Sequence, residues 1–322
     1  MALSTLNGDA QGIIFNHLCN VLDPGAAVAF SSASSELRKL TQAEQQLKAD
    51  HEAAAALGRK VGKQSCKELR EAKLVAWALK GLSADDLALL GRLGLALPVL
   101  ETLALLEPTA GPDGVQRLAV GLGAGALPAV NLFAVSGMHV GDAGASELAA
   151  ALGRGALPRL KRLTLCKAAI GDAGLVALAP ALRRLPALEE LYLRANPFGD
   201  EGISALVAPP PPAGAPPPTT TGGLAQLRVL YLSRTQITNA GCATLAAALD
   251  RGALPALERL HLDDIPASAA AKAAVYAARA NLKGGKTEHE ESGSEVEESE
   301  EESEEEDDEG EDEAGEEDGQ GL

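Results

Sequence analysis

Between Leu185 and Val207 the chain changes its hydrophobic rhythm half-way. Leu188, Leu191 and Leu193 keep the spacing L-x-x-L-x-L-x-x-N, closed by Asn196, so that leucines two apart share one side of a short strand. After Gly199-Asp200-Glu201-Gly202 the second half opens a helix. This unit of strand, turn and helix recurs, its first leucine falling at Leu97, Leu127, Leu157, Leu185, Leu224 and Leu254, in steps of 30, 30, 28, 39 and 30 residues. A half-unit, Leu82 to Arg92, precedes the series. Strand alternation sends the leucines inward and the residues between them outward, so stacked copies set the outward residues in columns. The middle column reads Ala104, Ala134, Thr164, Tyr192, Tyr231, His261. The flanking columns read Thr102, Leu132, Arg162, Glu190, Val229, Arg259 and Leu106, Ser136, Cys166, Arg194, Ser233, Asp263.

Gly141-Asp-Ala-Gly144, Gly171-Asp-Ala-Gly174 and Gly199-Asp-Glu-Gly202 return at the strand-to-helix turn, where Asp is expected to cap the helix. With its long period and this turn, the unit resembles the leucine-rich repeat of the ribonuclease-inhibitor-like subtype, over roughly 200 residues. The resemblance implies an α/β fold: a leucine-rich-repeat horseshoe with parallel strands on the concave face and helices on the convex face, closed by an all-α N-terminal cap and followed by a disordered C-terminal tail. It implies work as a holder of another macromolecule and no single activity, because the subtype serves inhibitors, immune receptors, GTPase-activating proteins and ubiquitin-ligase receptors alike. One departure concerns the asparagine after the strand. Asn196 is present, but Pro108, Met138, Ala168, Thr235 and Ile265 stand at the equivalent places, which predicts looser turns there.

Side chains of the middle column grow from alanine to tyrosine and histidine toward the C-terminal repeats. Tyrosine and arginine anchor interfaces well, burying large areas with polar ends. Arg162, Tyr192, Arg194, Tyr231, Arg259 and His261 are therefore the candidate residues for binding a protein partner, with a merely solvated sheet as the alternative.

Residues 1–50 are of a different kind. Leu6-Asn-Gly-Asp-Ala-Gln-Gly-Ile13-Ile14-Phe15-Asn-His-Leu18, then Leu22-Asp23-Pro24, then Ser34-Ser-Glu-Leu37-Arg-Lys-Leu40 imply three short apolar helices. The segment resembles an F-box, although Leu37 stands where that family often has tryptophan. The resemblance implies docking of Ile14, Phe15, Leu18, Leu22 and Pro24 on the Skp-type adaptor of cullin-RING ubiquitin ligases. The alternative is a helical cap that shields the first repeat, and the two are compatible. Residues 51–80 are expected to form a helical bridge, the helical reading running from 41 to 80, with the repeats at 81–283. Arg59, Lys60, Lys63, Lys67, Arg70 and Lys73 make it basic, yet no aromatic residues interleave, so a solvated face is expected in preference to a nucleic-acid surface. Gly58-Arg-Lys-Val-Gly62-Lys63-Gln-Ser65 lacks the spacing of a phosphate-binding loop.

The 39-residue step reflects a proline-rich insertion, residues 208–223, which stops the preceding helix near Val207. It reads as a linker, with a polyproline ligand as the alternative. Charge then alters the picture of the whole. The net charge of −17 is concentrated at the C-terminus: from Glu288 on there are 21 acidic residues and no Lys or Arg, leaving 24 acidic against 28 basic elsewhere, about +4. Residues 284–322 are too polar to offset ordering entropy and are expected to be disordered. They would hold basic proteins or maintain solubility, and Ser292, Ser294, Ser299 and Ser303, each with Glu three residues on, resemble acidophilic kinase sites.

Little in the sequence points to catalysis. Five histidines show no H-E-x-x-H spacing, no G-x-S-x-G occurs, and four scattered cysteines form no C-x-x-C pair. No metal, no cofactor and no enzyme activity are expected. Neither a secretory signal nor an apolar run of membrane-spanning length is found, so a cytoplasmic or nuclear protein without membrane contact is expected. Two functions follow by resemblance. One is a substrate-recognition adaptor of a ubiquitin ligase. The other is a regulator of a small GTPase, since the Ran GTPase-activating family also joins such repeats to an acidic tail; a plain binding scaffold remains if neither holds.

Overall fold

A computed structural model describes residues 21, 23–32, 41–111, 113–207 and 224–284. Seven parallel strands stand side by side in chain order: β1 (Leu74–Ala78), β2 (Thr102–Leu106), β3 (Leu132–Val135), β4 (Arg162–Thr164), β5 (Glu190–Tyr192), β6 (Val229–Tyr231) and β7 (Arg259–His261). Each returns through a helix on the same side of the sheet: α4 (Ala84–Arg92), α5 (Asp113–Gly121), α6 (Gly141–Gly153), α7 (Asp172–Leu182), α8 (Asp200–Val207), α9 (Asn239–Asp250) and α10 (Ala269–Ala277). Earlier in the chain lie α1 (Gly25–Ser32), α2 (Thr41–Lys60) and α3 (Cys66–Glu71). The register keeps the columns read from sequence. Ala104, Ala134, Thr164, Tyr192, Tyr231 and His261 are successive partners, as are Thr102, Leu132, Arg162, Glu190, Val229 and Arg259.

Leucine and alanine supply one continuous core between sheet and helices, from Ala54 and Leu57 of α2 to Leu282 after α10. Such a core is a chain of neighbour contacts, so it needs covers at both ends. At the start, Ala54, Leu57, Val61 and Leu69 of α2, α3 and their connection are buried against it. The cover thus reaches past residue 50 to Leu69, with Val21 of the segment expected for it also packed against the core. At the far end Lys283 forms a parallel bridge with Arg259, its carbonyl accepting from Leu260 N.

Two expectations are corrected. Residues 41–80 are not helical throughout: α2 ends at Lys60, α3 is one short segment, and Leu74–Ala78 is the first strand of the sheet. Val75 and Trp77 are buried there, a period of two that alanine-rich surroundings mask. The half-unit Leu82–Arg92 is accordingly the helix of a full repeat. Nor does Asp of the Gly-Asp-x-Gly turn cap its own helix. Asp142 Oδ1 accepts from Gly171 N (2.7 Å) and Gly174 N (3.0 Å) of the next repeat, and Asp172 Oδ1 from Gly199 N (2.8 Å) and Gly202 N (2.7 Å). Asp200 continues the series by accepting from Thr238 N and Thr238 Oγ1. At the starts of α7 and α8 orphan amides are thereby satisfied from the preceding repeat. The motif needs its second glycine for this approach: a Cβ on Gly174 would lie 2.5 Å from Asp142 Oδ1, and one on Gly202 2.9 Å from Asp172 Oδ1.

The post-strand turns also differ from expectation. Asn196 is buried and bonds across two repeats, donating to Leu165 O (2.7 Å) and Leu193 O (2.9 Å) and accepting from Ala168 N and Ile170 N (3.1 Å each). Two of the repeats without asparagine satisfy the turn by other groups. Glu107, fully buried, accepts from Lys80 N, Gly81 N and Leu82 N, and Thr235 Oγ1 donates to Leu232 O.

Candidate protein-binding face

The outward columns divide the strand face in two. Over β1 to β3 it is small and apolar: Leu74 (63% exposed), Ala76, Thr102, Ala104, Leu132 and Ala134. From β4 on, side chains are large and interlocked. Stacking repeats places Tyr192, Tyr231 and His261 in one register row, about 4.8 Å apart by strand spacing. Planar rings at that interval stack. The Tyr192 and Tyr231 centroids are 4.6 Å apart at 12°, and those of Tyr231 and His261 3.9 Å apart at 3°.

Arg162 and Glu190, directly opposite on β4 and β5, lock the row at its first end. The guanidinium holds the carboxylate through two bonds, Nε to Oε2 at 2.6 Å and Nη2 to Oε1 at 2.9 Å, the forked geometry peculiar to arginine. Tyr192 donates its hydroxyl to Glu190 Oε2 (2.9 Å), and Arg162 Cζ sits 5.8 Å from the Tyr192 ring centroid, within cation–π range. Partial burial works to raise the Glu190 carboxyl, but the bonds from Arg162 and Tyr192 outweigh it and hold the group below its ordinary value. Burial first, and then neighbouring Glu190, push the Tyr192 phenol well above its ordinary value, so it stays a donor.

The Arg162–Glu190 pair contributes stability in full above the unfolded carboxylate's pKa of about 4.3, and the contribution fades as pH falls through the lower folded value. Thermal melts should place Glu190→Gln below the parent protein at pH 6, with the gap closing in acid. A gap that stays constant to pH 2.5 would mean the charge is not involved.

Of the residues expected to bind a partner, Arg162, Tyr192, Tyr231 and His261 form this connected assembly, in which the first three are half-buried while His261 is buried and backs the row instead of facing outward. Arg194 and Arg259 stand beside it, Arg194 half-buried beyond Tyr192 and Arg259 exposed next to His261. Glu190 was not among the expected residues, yet it joins Arg162 to Tyr192. Its signal was present in the grid: it faces Arg162 across the strands and lies two residues from Tyr192. A shallow depression at the first ends of β5 to β7 is lined by Glu189, Glu190, Arg228, Val229, Glu258 and Arg259.

A family model described as Leucine Rich repeat matches residues 185–207, the unit from Leu185 through β5 to the end of α8. The fold is that of a leucine-rich-repeat protein. Among solved structures, the leucine-rich-repeat chain is similar to one in the crystal structure of the Rad7 and Elc1 complex in yeast. The identity is 13%, over 78% of this chain and 80% of that one, with a TM-score of 0.33. No curated protein matches the sequence.

Ile14, Phe15, Leu18 and Leu22 lie outside the described residues; Pro24 is half-buried just before α1. The basic stretch is largely matched by carboxylates, Lys60 with Asp86 (2.6 Å), Lys67 with Glu71 (4.0 Å), Arg70 with Asp23 (3.7 Å) and Lys73 with Glu101 (3.4 Å), in keeping with a solvated face. Among the described residues there is no cluster of metal-ligating side chains, and no helix is long and apolar enough to cross a membrane. The proline-rich insertion and the acidic tail lie outside the described residues.

Proposed function

We propose that this chain is a non-catalytic protein-binding module whose partner docks on the outward strand face between Arg162 and His261. The observation that supports this most is the stacked Tyr192–Tyr231–His261 row, locked by the forked Arg162–Glu190 pair. Aromatic rings ordered before encounter lose little rotamer freedom on binding, so the area they bury is returned as affinity. Affinity capture with the full chain should recover a partner that Tyr192→Ala/Tyr231→Ala loses by tenfold or more, while far-ultraviolet circular dichroism is unchanged. Undiminished capture would move the site elsewhere.

The finer form of the same reading is an adaptor, in which the N-terminal residues engage a Skp-type protein and the strand face selects the target. Its support is the F-box resemblance of residues 1–50. Pull-down of a Skp-type adaptor by the full chain, abolished by Ile14→Glu/Leu18→Glu, is the expected result. Stimulated GTP hydrolysis by a small GTPase without adaptor binding would instead favour the regulator.

A further inference from the structure

The charges on the C-terminal half of the strand face are not evenly matched. Its four outward segments, residues 161–167, 189–195, 228–234 and 258–264, carry seven Lys and Arg against five Asp and Glu. Every carboxylate among the five is held. Glu189 pairs with Lys161, Glu190 with Arg162, Glu258 with Arg228 and Asp264 with Arg234, and Asp263 meets the hydroxyl of Ser233. Four of the seven cations are thereby paired; among the described residues Lys167, Arg194 and Arg259 are in no ion pair and no side-chain hydrogen bond, and the field of Arg259 falls on Glu190, whose oxygens Arg162 and Tyr192 already hold. The two arginines stand at opposite corners of the aromatic row, Arg194 past Tyr192 on β5 and Arg259 before His261 on β7.

We infer that this face takes an acidic, extended segment of a partner protein, with one carboxylate on Arg194, another on Arg259 and the intervening residues laid across Tyr192 and Tyr231, which buried His261 supports from below the surface. The inference rests on the protein-binding reading and adds the chemistry of the partner. Guanidinium groups favour carboxylates because both offer forked, planar geometry, and the surrounding carboxylates are already occupied. The spacing is also defined. Arg259 is in register with Glu190, so it lies two strands across and four residues along from Arg194, about 16 Å between Cα atoms, which is about five residues of extended chain. Stacking turns the ring faces toward one another, so the half-buried Tyr192 and Tyr231 offer their outer edges to an apolar or aromatic side chain at the centre of such a segment.

The test uses the full chain and three fluorescein-labelled dodecapeptides with a central phenylalanine, differing only in Glu, Gln or Lys at two positions five residues apart. Fluorescence anisotropy should show the Glu peptide bound at least tenfold more tightly than the Gln peptide, with affinity falling as salt rises. Arg194→Gln/Arg259→Gln should erase that preference, and Arg194→Glu/Arg259→Glu should transfer it to the Lys peptide. Equal binding of the Glu and Gln peptides, lost on Tyr192→Ala, would overturn the acidic partner while leaving the protein-binding face intact. Absence of binding by any peptide would overturn it too. Repeating the titration on the chain with its carboxylates from Glu288 to Asp318 changed to amides identifies the source: unchanged affinity assigns the site to a partner, and a tenfold gain makes the chain's own acidic residues the occupant and overturns that assignment.

Discussion

Asn196→Ala is expected to lower the free energy of unfolding by about 3 kcal/mol, more than any surface change on the strand face, because it strands buried backbone groups in two repeats at once. The amides of Ala168 and Ile170 lose their acceptor, and the carbonyls of Leu165 and Leu193 lose their donor. An unpaired buried amide costs about 1–3 kcal/mol, while relaxation and water entry recover part of the sum. Asn196→Leu should do no better, since it fills the volume and satisfies nothing. Asn196→Asp keeps the two acceptor bonds but turns a charge toward two carbonyls, and should fall between. Urea unfolding followed by circular dichroism gives the comparison, and a loss below about 0.5 kcal/mol for Asn196→Ala would show the turn to be rebuilt by other groups. Because a solenoid is joined only through neighbours, a slope reduced along with the midpoint is also expected, as the repeats on either side of β4–β5 uncouple.

The strand face was legible because it depends on two regular quantities, a period of two along each strand and a fixed step between repeats. Once Leu163, Leu191 and Leu230 are read as inward, Thr164, Tyr192 and Tyr231 must be outward neighbours, and the register bears this out. The first strand is hidden because no Leu-Pro precedes Leu74-Val-Ala-Trp-Ala78, as it does five of the six later strands, and alanine suits a helix as well as a strand. The role of Asp142 escaped for a different reason. Whether a carboxylate in a helix's first turn bonds its own amides or its neighbour's depends on how closely repeats stack, and nothing local to Gly141-Asp-Ala-Gly144 records that distance.

Site chemistry was legible in part. The large residues of the middle column stood out by size alone, but the pairing of Arg162 with Glu190 decides which arginines are left to meet a partner, and pairing is a property of opposite positions on adjacent strands. Arg162 and Arg194 look equivalent in sequence and differ in the fold. One has a forked carboxylate opposite; the register partner of the other is Ser233, on β6's continuation, whose hydroxyl meets Asp263.

Glu107→Ala should be the second costly change, about 3 kcal/mol or more, and it tests whether a buried charge has taken over the asparagine's work at the start of the sheet. Glu107 is fully buried with no cation against it among the described residues, an arrangement tolerable only when backbone donors replace water. Three do: Lys80 N at 2.6 Å on Oε1, and Gly81 N at 3.1 Å and Leu82 N at 3.3 Å on Oε2. These amides lead into α4, whose own N-cap, Ser83, follows at once and bonds Asp86. Removing the carboxylate therefore orphans three donors in succession and loosens the entry to the first repeat's helix. Glu107→Gln separates geometry from charge. Its single carbonyl oxygen can serve Gly81 and Leu82 or Lys80, and its amide group then faces an amide, so a loss about half that of alanine is expected. Hydrogen exchange should localise the effect to residues 79–92. If Glu107→Gln equals the parent protein, the charge contributes nothing, and if Glu107→Ala does too, the turn is held by the leucine core alone.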